Sequence, residues 1–179
     1  MSSILILSGS PRKNGNTDSL VASFSRGALS TGNTVEIIRV SDLDIAPCSG
    51  CGACEDLGNH ICVIHDEMDI IYKAMMCHDV LVIASPLYFY SISAQMKTVV
   101  DRFHTPLRER FSVRQIALIA VGAAVRKGMF EGLLAQYKLI ISYFHLLDLG
   151  TILIQNAKSK DDVSAEAREE AFRLGASVK

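Results

Sequence analysis

The chain has 179 residues, 49% of them hydrophobic and 21% charged, with a formal net charge of -1. That is enough apolar material for one globular domain with a full core, and the near-balance of charge excludes the electrostatic footprint of a nucleic-acid-binding protein. No apolar run reaches the ~18 residues of a membrane-spanning helix and no signal-peptide pattern precedes the first strand, so a cytoplasmic, membrane-free protein is expected, with residues 1–179 forming a single domain.

Ile4-Leu5-Ile6-Leu7 reads as a buried strand, and it gives way to Ser8 through Thr17, a run of hydroxyls, amides and glycines with two cations, Arg12 and Lys13. If a helix opens at its end, such a loop presents backbone N–H groups and the positive end of a helix dipole to an anion, and a phosphate is the natural guest. Leu20, Val21, Phe24 and Ala28 recur at helical spacing, which predicts a helix from Thr17 to about Leu29, capped by Asn16 or Thr17. Ser30 to Asn33 is turn chemistry, and β-branched Thr34 to Val40 is a second strand. A short crossover between the two strands implies parallel pairing.

Ser41 to His65 has no clear period, and an insertion of that length is either functional or wrongly assigned. It contains Cys48, Cys51, Cys54 and Cys62 of the five cysteines in the chain. Structural disulfides are not expected in a reducing compartment, so the crowding asks for a ligand or redox explanation. Asp66 then caps a helix carrying Met68, Ile71, Tyr72 and Met75 on one face and ending near Cys77-His78, where Cys77 reads as a small buried hydrophobe. Asp79 to Ala84 holds a continuous apolar strand, Val80 to Ile83, of the kind buried on both faces at the centre of a sheet.

At that strand's carboxyl end comes Ser85-Pro86-Leu87-Tyr88-Phe89-Tyr90-Ser91. One core cannot bury three rings in a row, so the loop reads as the wall of a ligand pocket. The next helix carries Met96, Val99, Val100 and Phe103. Phe103 to Val113 reads as a polar connection, and Arg102, Arg108, Arg110 and Arg114 as a solvated basic face. Gln115 to Val121 is a fourth strand, Gly122 to Gly128 a glycine-bounded loop, and Phe130, Leu133, Leu134, Tyr137, Ile141 and Phe144 mark a helix. A last strand at Thr151 to Ile154 and a last helix from Ser164 to about Ser177 complete the chain.

Strands alternating with helices imply an α/β protein with an open, doubly wound parallel sheet and helices on both faces. Ligands bind such sheets outside the carboxyl ends of the strands, at the switch point in strand order, so the loops after the first, third and fourth strands are expected to converge. The first loop is neither a lysine-ended P-loop nor GxGxxG. A planar heterocycle beside the rings, with its phosphate on the first loop, accounts for both.

The pairing of Gly9 to Thr17 with Ser85 to Lys97, followed by Asp101-Arg102, resembles the NADPH-dependent FMN reductase family of flavodoxin-like proteins, and the resemblance covers nearly the whole chain. It implies a five-stranded flavodoxin-like sheet of order 2-1-3-4-5 that binds FMN. By position, Ser10, Arg12, Asn16 and Thr17 would hold the phosphate, Pro86, Leu87, Tyr88, Phe89 and Tyr90 would line the isoalloxazine, and Gly122 with its loop would close the other side. Arg126 and Lys127 in that loop read as a solvated pair, with an adenine-nucleotide phosphate as the alternative partner.

The spacing Cys48-x2-Cys51-x2-Cys54-x7-Cys62 leaves an iron-sulfur cluster, tetrahedral zinc and free redox thiols open. With its glycines and the following Asp66-Glu67-Met68, the pattern resembles the iron-sulfur flavoprotein branch of the same family, which implies a four-iron (4Fe-4S) cluster exchanging electrons with FMN and a homodimer or homotetramer that brings the two together. No Ser-His-Asp or paired-carboxylate arrangement stands out, so no protein acid or base is expected in a hydride step. The expected function is an FMN oxidoreductase passing electrons from NAD(P)H or a cluster protein to a small or protein acceptor. A cluster-free NAD(P)H-dependent FMN or quinone reductase and a non-catalytic flavodoxin-like electron carrier are the alternatives.

Overall fold

In the computed structural model, which describes residues 1–56 and 60–179, β1 (Ser3–Ser8), β2 (Thr34–Arg39), β3 (Val80–Pro86), β4 (Gln115–Val121) and β5 (Leu147–Ile154) form one sheet. All neighbours are parallel, in the order β2-β1-β3-β4-β5. The apolar run of β3 earns its central place, since all of Val80 to Ser85 is buried. The period of two along each strand sorts side chains to two cores. Ile4, Ile6, Val80, Val82 and Ile119 pack beneath α1 (Asn16–Ser30) and α6 (Ala165–Ala176), while Leu5, Leu7, Leu81, Ile83 and Leu118 pack beneath α3 (Met68–Cys77), α4 (Ala94–Arg102) and α5 (Glu131–Phe144). Each large side chain fully buried in this way contributes about 1.5–3 kcal/mol. A single turn, α2 (Ala53–Asp56), lies within the cysteine segment. No helix among the described residues is long and apolar enough to cross a membrane.

α1 and α6 approach closely because each offers a glycine to the other: a Cβ on Gly27 would stand 2.0 Å from Phe172 O, and one on Gly175 the same 2.0 Å from Phe24 O. α4 and α6 start at Ser93 and Ser164, whose hydroxyls accept the N–H groups of Met96 and Ala167, the ordinary N-cap.

Several expectations are corrected. α1 is preceded by Gly15, with no side-chain cap; Asn16 and Thr17 are its first residues and Asn16 reaches elsewhere. α3 begins at Met68, and Asp66 accepts the Met68 N–H at 3.1 Å with one oxygen while the other serves a buried arginine. That arginine is Arg102, which is buried and so is no part of a solvated face. Nor is the 103–113 connection polar throughout: Leu107, Phe111 and Val113 are buried around a 3-10 turn at Pro106–Arg110. Cys77 is exposed, because the helix ends there and its buried apolar stripe ends two positions earlier, at Met75. β5 starts at Leu147, four residues before Thr151. Asp148 and Gly150 interrupt its apolar pattern, and the register slips between Ile116 and Ala117 opposite them.

Candidate functional site

β1 and β3 are neighbours, yet the chain leaves β1 toward β2 and returns to β3 on the other side, so the switch point falls between their carboxyl ends. The loop after β1 is fixed there by Gly9, whose N–H donates to Ala84 O at 2.8 Å and whose carbonyl accepts the Ser93 hydroxyl at 2.6 Å. A Cβ at Gly9 would lie 2.7 Å from Met96 Cβ, so α4 sits this close only because the residue is glycine. Ser10 is buried and folds the loop on itself, accepting the Arg12 N–H at 3.3 Å and donating to Arg12 O at 3.1 Å. Arg39, at the end of β2, braces the loop from below with bonds to Ser10 O and Arg12 O, held in turn by Asp18 at 2.7 Å. Nothing in the sequence singled out Arg39, because its partners lie in another element.

The loop after β3 carries the rings. Leu87 N–H donates to Val121 O at 2.7 Å, and Tyr88 and Ser91 exchange backbone bonds of 2.9 and 3.2 Å across Phe89 and Tyr90. These two central residues have φ of 48° and 70°, the left-handed pair of a type I′ turn, for which Asn-Gly is the usual filling. The turn holds Phe89 out, 96% exposed. Arg126 crosses from the next loop, donating to the Tyr90 hydroxyl at 2.6 Å with its guanidinium 5.5 Å from the ring centroid. Arg126 and Lys127 are both exposed, as expected of a solvated pair, and Arg126 in addition partners Tyr90.

A cavity of about 370 Å³ opens between these loops. Of the residues expected at the site, Ser10, Arg12, Asn16, Thr17, Pro86, Leu87 and Tyr88 line it, while Phe89, Tyr90 and Gly122 do not. The turn aims Phe89 away from it. Gly122 is covered by Met129, whose Cε would be 2.3 Å from a Cβ there, and its neighbours Val121 and Ala123 reach the cavity instead. A fourth wall, Ala157 to Lys160, was not expected from sequence. It is tied in by Asn16, whose amide donates to Ala157 O at 3.1 Å and Ser159 O at 2.8 Å. The only sequence signal for that wall was its pair of lysines after a strand. With Arg12, Lys13, Lys158 and Lys160 around the N-terminal end of a 15-residue helix, the cavity suits an anion at one end and a flat apolar group beside Pro86 and Leu87 at the other. Two buried polar atoms at this edge, Ser8 Oγ and Asn16 Oδ1, have no hydrogen-bond partner among the described residues.

None of the five cysteines is in a disulfide; Cys48 and Cys51 are exposed, Cys54 and Cys62 half-buried. Backbone N–H groups already serve two sulfurs, Gly50 to Cys48 Sγ at 3.4 Å and Ile64 to Cys62 Sγ at 3.5 Å. The Ala53 N–H and the Ser49 hydroxyl lower the Cys51 pKa below the usual thiol value. Donors of this kind favour thiolate over thiol, so the donor set fits thiolate ligation, although no group of three His, Cys, Asp or Glu side chains converges on a metal position among the described residues.

A family model described as NADPH-dependent FMN reductase matches residues 2–160. The chain is 35% identical over 122 residues to an iron-sulfur flavoprotein of Methanosarcina thermophila, covering 68% of this chain and 61% of that one. It is 38% identical over 127 residues to an iron-sulfur flavoprotein of Methanocaldococcus jannaschii, covering 70% and 64%. The match thus spans about six-tenths of the length of these curated relatives. Among solved structures, an NAD(P)H:quinone oxidoreductase from Methanothermobacter marburgensis superposes with a TM-score of 0.78 at 13% identity over 99% of both chains. An FMN-dependent NADH-azoreductase from Bacillus anthracis, in complex with FMN, gives 0.68 at 14% over 97% and 96%. Likeness at such identity shows the flavodoxin-like fold alone.

Proposed function

Because the chain belongs to the NADPH-dependent FMN reductase family, we propose that it is a flavin-dependent oxidoreductase holding FMN in the cavity at the carboxyl edge of its sheet. One observation carries this reading: the donor-rich loop before α1 and the Pro86–Tyr88 wall line the same cavity, which has the size and mixed character of a small-ligand pocket. Ser10, Arg12, Asn16 and Thr17 would hold the phosphate at the positive end of α1, with Lys158 and Lys160 adding charge. Asn16 would do so with its backbone N–H, at the first position of α1, since its side-chain amide donates to the fourth wall. Pro86, Leu87 and Tyr88 would flank the ring, Gly122 would let its loop pass close behind, and Phe89 and Tyr90 would face whatever approaches from solvent.

Bound FMN supplies one- and two-electron exchange between donor and acceptor. The residues of the chain would bind the phosphate and orient the ring beside Pro86 to Tyr88, with NAD(P)H the proposed donor. Direct hydride transfer from a nicotinamide would require no protein acid or base. Cys48, Cys51, Cys54 and Cys62 would ligate a 4Fe-4S cluster, a reading supported by the N–H donors on their sulfurs and by the iron-sulfur flavoproteins among the relatives. A homo-oligomer belongs to the same proposal. α5 buries only Leu133 and Tyr137, and beside it runs an apolar groove of about 530 Å³ with Leu139, 71% exposed, on its lip. A second copy of the chain would cover this face.

FMN added to flavin-free protein should lose its fluorescence at a one-to-one ratio, and Arg12→Ala should weaken the affinity about tenfold, the size of one charge-assisted bond. Fluorescence unchanged by excess protein would rule the reading out. Turnover of many NADPH equivalents per protein separates an enzyme from an electron carrier, and iron and sulfide assayed on protein purified without oxygen test the cluster.

A further inference from the structure

Ala46 and Asp66 stand at the two ends of the cysteine loop, and one buried guanidinium joins them. Arg102, the last residue of α4, donates from Nη1 to Ala46 O at 2.9 Å and to Asp66 Oδ2 at 2.8 Å, and from Nη2 to Asp66 Oδ1 at 3.4 Å. Asp66 Oδ2 also accepts the Ala46 N–H at 2.9 Å, so Ala46 is held through both of its backbone groups. A second rung lies beside this one: Glu67 N–H donates to Asp44 O at 3.1 Å, and Asp44 N–H to Glu67 Oε2 at 2.6 Å. The loop therefore has a closed neck, with Cys48 just beyond Ala46 on one side and Cys62 shortly before Asp66 on the other.

The Arg102 and Asp66 side chains are 2% and 9% exposed. Desolvation offsets most of the attraction in a pair this buried, so its presence is weak evidence for stability and its use is better sought in what it positions. Arg102 has one more donor. Its Nε–H is buried and has no partner among the described residues, and leftover buried donors are rare in native proteins. Tyr72 adds a further tie, its hydroxyl donating to Arg102 O at 2.8 Å.

We propose that Arg102 is a positioning residue of the cysteine loop: it closes the neck on Ala46 and Asp66 and so fixes the two points from which Cys48 and Cys62 extend toward a shared metal. This rests on reading the four cysteines as ligands. The guanidinium suits the task because its planar fork fixes several donors at once, which the single ammonium of lysine does not. Groups that support metal ligands from outside the ligand set change metal affinity by roughly 10- to 100-fold when removed.

Cobalt(II), added without oxygen to the full chain freed of metal, is the probe, and its thiolate charge-transfer absorption is the readout. Arg102→Lys should bind cobalt at least about tenfold more weakly than wild type and should exchange the Ala46 and Met68 amide hydrogens faster, with FMN affinity as the control. Because Arg102→Leu alone would strand Asp66 in the interior, the double variant Asp66→Asn/Arg102→Leu removes both charges together and should show the same loss. A wild-type cobalt–thiolate band with undiminished affinity in both Arg102→Lys and the double variant would overturn the proposal while leaving the cysteines as ligands. A wild-type chain that gives no such band overturns the ligand reading itself, and the proposal falls with it.

Discussion

At Asp66, burial works against the charge, but the Arg102 guanidinium and the N–H groups of Ala46 and Met68 outweigh it, holding the carboxyl below its ordinary pKa of 3.8. A carboxylate depressed in the folded state contributes stability that is fully present above the unfolded value and is lost as pH falls through the folded one. The melting temperature should therefore drop below about pH 4, and Asp66→Asn should flatten that part of the profile while lowering stability at neutral pH. A profile unchanged by the substitution would mean that the pair has no such linkage. Asn16 shows the limit of reading single residues. Its type and place in a polar loop suggest a phosphate ligand, yet its amide group serves carbonyls 141 and 143 residues away, and no local pattern encodes partners at that distance.

One element stores a cost that can be measured. The Tyr88–Ser91 turn places aromatic residues at both left-handed positions, where non-glycine residues cost on the order of 1–3 kcal/mol each. Replacing the pair by Asn-Gly (Phe89→Asn/Tyr90→Gly) should raise the melting temperature by a few degrees, less the Arg126–Tyr90 contact it gives up. In the proposed enzyme the same change should lower kcat/KM for the acceptor without weakening FMN binding. A fall in melting temperature would show that the rings stabilise the turn. The α1–α6 contact is the opposite case. Gly175→Ala puts a methyl group where the nearest atom is a backbone oxygen 2.0 Å away, so the helices must separate, and a loss of about 1–3 kcal/mol is expected in denaturant unfolding. The alternation of strand and helix was legible because each element repeats its own period. β5 was read four residues short because it is an edge strand whose Asp148 and Gly150 do not need the apolar filling of the interior.

Across the whole molecule, the apolar material is unevenly used. β1, β3 and β4 are closed on both faces, whereas α5 and β5 leave Leu139, Tyr143 and Leu147 in solvent. Sedimentation should therefore show a dimer or larger, shifted toward monomer by Leu139→Glu; a stable wild-type monomer at micromolar concentration would remove the oligomer from the proposal.

By itself the sequence determined the parallel sheet, the central place of β3, and the convergence of a donor-rich loop with a ring-rich loop, because these follow from periodicity and from where strands must end. Which of the expected residues wall the cavity, and which do not, was decided only by tertiary structure. So were the exclusion of Phe89 by its turn, the fourth wall tied in by Asn16, and the burial of Arg102, which reads as an exposed cation in sequence and becomes the clasp of the cysteine loop in space. Local spacing encodes backbone periods and buried faces. The pairing of a buried donor with an acceptor 36 or 56 residues away exists only once the chain has closed on itself.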